Sequence, residues 1–371
     1  MEYFPAVDPI PLPAPVWLFK LLQLVTLALH FGAVYFLVGG LICATWWAWR
    51  GRRSQDPVLL NASGAMTHRL PVVMAYVVNL GIPPLLFTQV LYGRALYTSS
   101  VLMGVQWLMV SPLVIASYFM MYMMASRAES GRRYAWMGLL SIVIVLKVGY
   151  IYSSNMTLML RPEVWTAMYR EDALGLDLPS GDPTTFPRWL FMMVGALGMG
   201  GVAMMLLGMQ APIDAAAAAF LRRRGSLLLA SGITAQILLG AWVVSAQPVP
   251  VRSELLTHPV YLAALGLWLV TALGMVAVGG LAFRSAGARG WLLPGTAGGL
   301  GLVNILGWVV LRDGIRDTTL GLSGYDVWDR AVYANWITII AFLVLFVVAG
   351  AFLAWMGSIV FGAKGGNEHY A

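Results

Sequence analysis

Charge is what this sequence has least of. Asp, Glu, Lys and Arg together make 11% of its 371 residues and hydrophobic side chains 60%, where water-soluble domains carry about a quarter charged residues. With a mean hydropathy of +0.77, a soluble enzyme is excluded. Cysteine is nearly missing as well. Cys43 stands alone inside an apolar run, which excludes an internal disulfide, a cysteine-ligated zinc or iron–sulfur site and, without a CxxCH, covalently attached haem. Cys43 reads as packing. The chain also lacks a P-loop, a GxGxxG on a strand–helix unit, an HExxH and any nucleophile–base pair, so hydrolase and nucleotide-driven chemistry fall away. The net charge of +7 would suit nucleic acid, but its Lys and Arg clusters sit in short loops, where membrane proteins collect them.

What remains is apolar length. A membrane-spanning helix needs about 20 apolar residues, and nine segments qualify, near 17–48, 70–97, 101–125, 134–153, 188–210, 226–246, 258–283, 291–311 and 332–361. The expected fold is an all-α integral membrane bundle forming a single domain over 1–371. The start "MEYFPAVDPIPLPAP" has no basic n-region and reads as the lead into an uncleaved first span. "RGRRSQ", "RAESGRR", "FLRRRG" and "RSAGAR" alternate with connections rich in Asp and Glu. The positive-inside rule then puts the N-terminus outside and the C-terminus in the cytoplasm. Residues 154–187 form the longest connection, an outer loop long enough to be a lid or docking surface. Tryptophans at the span ends (Trp46, Trp107, Trp136, Trp189, Trp291, Trp336) read as interfacial anchors. Gly195 to Gly201 and Gly295 to Gly301 read as small-residue stripes for close helix packing.

Of the four histidines, His369 falls in a polar tail and His68 at a span mouth. His258 opens the seventh span just before Pro259, as a cap-region residue or a ligand. His30 lies about a dozen residues into the first span, roughly 18 Å along its axis. A neutral imidazole there is either a ligand for haem iron or a core ring bonded to a neighbouring helix. Lys147 is placed about one and a half turns from the outer end of its span, either snorkelling to the surface or meeting a propionate or other anion. Arg94, Arg188, Arg312 and Arg316 fall at helix ends on one face, as anchors or as propionate partners. Asp313 and Asp317 read as loop charges at the outer surface.

The order of these features resembles subunit I of the cytochrome bd quinol oxidases. "FKLLQLVTLALHFGAVYFLVGG" is similar to that family's first helix, with Lys20, Gln23 and Thr26 leading to a haem-ligating position at His30. "NLGIPPLLFTQVLYGRALYTSSVLMG", "SPLVIASYFMMYMMASR", "IYSSNMTLML" and "LGWVVLRDGIRD" continue the likeness over most of the chain. The resemblance implies haem b, quinone or quinol as electron source, and a multi-pass subunit in a bacterial cytoplasmic (inner) membrane. It also implies other membrane subunits, with a cytochrome c or iron–sulfur protein on the outer face. Where the family has glutamates in its third and eighth spans, this chain has Ala116 and Arg312. Where the family has a histidine and a methionine holding its low-spin haem, it has Met193 and Leu262. The chain is therefore expected to belong to a quinol-dependent oxidoreductase without being a complete oxygen reductase. The pair Met193 and His258 is a candidate for an exchanged low-spin site. The competing expectation is a haem-free subunit that anchors redox partners.

Overall fold

The computed structural model describes residues 4–5, 10–179, 181–210, 213–285 and 290–362, with side chains as far as 359. His369, the C-terminal tail and most of the "RSAGAR" loop lie outside the described residues. Twelve α-helices follow in order: α1 (Val16–Ser54), α2 (Pro57–Thr67), α3 (Leu70–Leu102), α4 (Gly104–Glu129), α5 (Ala135–Leu158), α6 (Trp165–Glu171), α7 (Thr185–Leu207), α8 (Ala215–Ser245), α9 (Val249–Thr257), α10 (Pro259–Arg284), α11 (Leu292–Leu322) and α12 (Trp336–Gly362). By length and composition, nine stretches can cross a membrane, one of them α2 and α3 taken together. The expected spans are all there, and their ends differ in instructive ways.

Helix boundaries follow local chemistry. Asp56 caps α2 by accepting the N–H groups of Val58 and Leu59, with Pro57 in the first turn. Asp214 does the same for α8 through Ala216 and Ala217. In α3, Pro83 and Pro84 remove two intrahelical donors, and Tyr92 (φ −126°, ψ 22°) breaks the helix again. The connection expected over 154–187 is shorter, because α5 continues to Leu158 and α7 begins at Thr185. Within it, Asp172 accepts the N–H groups of Asp177 (2.7 Å) and Leu174 (3.2 Å). Those backbone donors, Asp177's foremost, hold its carboxyl below the usual range.

Lipid offers no hydrophobic reward for helix association, so close packing of small residues must do it. At the α1–α7 crossing, a Cβ on Gly200 would fall 2.8 Å from Gly39 Cα; at the α7–α8 crossing, one on Gly225 would fall 2.6 Å from Gly201 O. The stripe from Gly195 to Gly201 therefore works as expected. The one from Gly295 to Gly301 does not: nothing lies within 4 Å of a Cβ on Gly295 or Gly299, and only Gly301 is pressed, by Met199. α7 is the central helix, with 67% of its span window buried against 22% for α4 and α5 and 6% for α12. Phe31, Tyr35, Phe191, Trp268 and Trp308 fill the interior between α1, α7, α10 and α11, Phe31 and Trp308 lying 4.6 Å apart. Cys43 is buried, as packing requires.

One extended contact closes the bundle. Leu12, ahead of α1, pairs in parallel with Val332, ahead of α12. Its N–H donates to Ala331 O (2.8 Å), and its carbonyl accepts from Tyr333 N–H (2.9 Å).

Candidate functional site

Two polar features lie along the α1–α3 interface. The first is a buried ion cluster near the end of the bundle where α1 begins. Lys20 Nζ donates to Asp313 Oδ2 at 2.8 Å, to the Tyr92 hydroxyl at 2.5 Å, and also to Asp317. Tyr92 donates in turn to Asp317 Oδ1 at 2.5 Å. The Arg316 guanidinium lies 4.5 Å from the Tyr92 ring centre and 3.7 Å from Asp313 Oδ1, and the Trp328 ring stands 5.8 Å from Lys20 Nζ. Two cations thus face two carboxylates. Such a group persists away from water only because every charge has a partner. Tyr92, whose hydroxyl joins the cluster, is also the residue at which α3 breaks.

Asp313 and Asp317 are therefore not loop charges. α11 runs on to Leu322, about three turns past the expected end at 311, and the two carboxylates, one helical turn apart, face Lys20. Arg312 and Arg316 share this extension. Arg188 of α7 donates through Nη2 to Gln247 Oε1 (2.8 Å) and lies within electrostatic range of Arg312 and Arg316. Among the described residues, Arg188 Nε and Arg316 Nη1 are buried donors without an acceptor. Arg94 stands apart, donating to Pro5 O and lying over the rings of Phe4 (5.8 Å) and Tyr325 (5.5 Å). Tyr325 donates to Leu91 O at 2.7 Å, and burial raises the pKa of its phenol.

The second feature begins one turn deeper. Gln23 Nε2 donates to Thr88 Oγ1 at 2.7 Å, and Thr88 donates to Pro84 O. Two turns below Gln23 stands His30. Its Nδ1 is 3.1 Å from Val77 O, a contact that places the proton on Nδ1 and leaves Nε2 as the basic nitrogen. No hydrogen bond to Nε2 occurs among the described residues. Gly81 makes room for the ring: a Cβ there would meet His30 Cε1 at 2.8 Å and Nε2 only at 3.7 Å.

Beside this level α12 meets α1 and α3 at two separate places. α12 rests on α1 and α3 through Ile339, Leu343 and Phe346 near Leu18, Leu22 and Phe87. It touches α3 again where Tyr76 donates to Leu353 O at 2.8 Å. Between these contacts residues 347–352 are exposed, and nothing lies within 4 Å of a Cβ on Gly350. Val77 and Gly81, which hold His30, fall on α3 between Tyr76 and Phe87, the residues of its two contacts with α12.

The remaining expected residues are not gathered here. Met193 is buried, its methyl 3.5 Å from where a Gly149 Cβ would stand on α5. His258 is the exposed residue before α10, its ring 4.7 Å from that of Tyr261. The contacts of Met193 and of His258 are to different neighbours, and no contact between the two occurs among the described residues. The segment before His258 forms the short helix α9. Lys147 is exposed at mid-length of α5, eleven residues before Leu158, well short of the helix end expected for it. Sequence reasoning missed Tyr92, Asp313, Asp317 and Gln247. The i, i+4 pairs Arg312/Arg316 and Asp313/Asp317, directly after "LGWVVL", were the available sign of a continuing helix.

No protein-family model and no curated protein sequence matches this chain. Among solved structures it resembles a chain of the bd oxidase from Geobacillus thermodenitrificans, with a TM-score of 0.72 at 12% identity, covering 95% of this chain and 98% of that one. At that identity the likeness is one of fold: the chain has the architecture of a bd oxidase chain.

Proposed function

We propose that this chain is a haem-b-bearing membrane subunit of a quinone-linked respiratory electron-transfer complex in a bacterial cytoplasmic membrane. The observation that carries the reading is His30, with Nδ1 fixed on the Val77 carbonyl, no hydrogen-bond partner for Nε2 among the described residues, and Gly81 leaving room for its ring. This is the arrangement of an iron-ligating imidazole whose second nitrogen sets tautomer and orientation. A haem bound there supplies one-electron transfer. Arg188 and Arg316, with their unused buried donors, suit the propionate carboxylates of a haem in this bundle. Quinol as donor, further membrane subunits, and a cytochrome c or iron–sulfur protein on the outer face complete the proposal. With Ala116 and Arg312 where a carboxylate would supply protons, the chain alone does not reduce oxygen.

Pyridine haemochrome analysis of the purified chain tests the reading. About one haem b per chain in the wild type and its loss in His30→Ala are expected; equal haem content in the two would overturn the ligand assignment. A second reading, a haem-free scaffold, is favoured by the ring-filled interior of Phe31, Tyr35, Phe191, Trp268 and Trp308. It stands if the wild type carries no haem.

A further inference from the structure

Lys147 is the charge in this fold with no account of itself. It lies twelve residues after Ala135 and eleven before Leu158 in a helix of 24, so each end of the span is about 16–18 Å away along the axis. A lysine stem reaches roughly 6 Å, so the ammonium cannot snorkel to either surface. Nor is it turned inward. Lys147 is exposed, on the same stripe of α5 as Trp136 (58% exposed), Leu140 (45%) and Val143 (57%), a spacing of four, three and four residues that marks one helix face. No hydrogen bond or ion pair to it occurs among the described residues. Alone in lipid, an ammonium at the middle of a bilayer is strongly unfavourable.

We infer that the outer face of α5 is covered by a membrane helix of a different protein that places an Asp or Glu carboxylate against Lys147. Charge complementarity chooses the occupant. A lipid headgroup stays at the surface, and a second copy of this chain has no carboxylate to offer at that depth. Among the described residues its Asp and Glu lie in loops and at helix ends, apart from Asp313 and Asp317, which Lys20 already holds. α4, which packs beside α5, exposes Ile115 (68%) and Phe119 (65%), and only 22% of either span is buried within the chain. The apolar stripe supplies area and the ammonium supplies register. The inference needs only that the chain spans a membrane, and it stands or falls independently of haem at His30.

The test is crosslinking in the native membrane with a photoreactive residue at Val143, one turn from Lys147, in the full chain. The expected product joins Val143 to a membrane-span peptide of another protein that contains Asp or Glu. Its yield falls at least fivefold in Lys147→Met, a change that leaves insertion easier, and returns when Lys147→Asp is combined with Lys in place of the partner's acidic residue. Crosslinks to lipid only, to a second copy of this chain, or to a span without an acidic residue would overturn the inference, as would an unchanged yield in Lys147→Met.

Discussion

Lys20 and Asp313, 293 positions apart in the chain, meet at 2.8 Å inside the bundle, and both are more than nine-tenths buried. The pair joins the first span to the eighth, and Tyr92 brings in α3. Removing one partner of a buried pair strands the other charge, at about 3–5 kcal/mol. Lys20→Met is therefore expected to lose that much stability in detergent unfolding. Lys20→Met combined with Asp317→Asn is expected to recover more than half of the loss, since one carboxylate then balances Arg316. Additive losses in the double variant would show that the groups act separately.

Gly81 is expected to behave as part of the His30 site. Gly81→Ala puts a methyl 2.8 Å from the imidazole and must push the ring off the Val77 carbonyl. Haem content per chain should fall by at least half with the helical circular dichroism unchanged. Full retention of haem would mean that the ring's placement does not matter.

Two glycine substitutions separate packing from propensity. Gly225→Ala drives a methyl to 2.6 Å from Gly201 O, where backbone meets backbone, and should cost about 1–3 kcal/mol as overpacking does. Gly295→Ala meets nothing within 4 Å and should be neutral or stabilising by up to about 1 kcal/mol, the difference in helix propensity. Thermal unfolding of both, in one detergent, makes the comparison.

Orientation can be read with single cysteines, because Cys43 is buried and contributes little background. The arginine-rich loops are expected inside. A membrane-impermeant maleimide added to intact spheroplasts should label Leu174→Cys at once and Arg53→Cys only after permeabilisation; the reverse order would invert the topology.

The spans were legible because an apolar run is a local property, and lipid demands it of each helix separately. What sequence could not show is compensation. Arg312, Asp313, Arg316 and Asp317 look like the end of a span until Lys20 and Tyr92 are seen beside them, since hydropathy counts charges without their partners. Lys147 was drawn to the wrong depth by a related error: the span was expected to end at 153, yet α5 continues to Leu158, and Ser153, Ser154, Asn155 and Thr157 are all buried inside the bundle. His30 stands out in the sequence through its isolation in an apolar helix, whereas Gly81 and the Val77 carbonyl, which contact its ring, bear no sequence mark. The pairing of Met193 with His258 rested on depth alone, and depth says nothing about which way a helix is turned.

The pairing of Leu12 with Val332 also bears on how the protein is made. Synthesis runs from the N-terminus, so the segment ahead of α1 leaves the ribosome first, and its partner strand follows only after eight spans have been inserted. Until then the backbone groups of Leu12 and Pro13 have only water to bond. This contact therefore forms late, joining a segment made before the first span to one made after the eighth, and a nascent chain halted before residue 331 holds its first eight spans without that clasp.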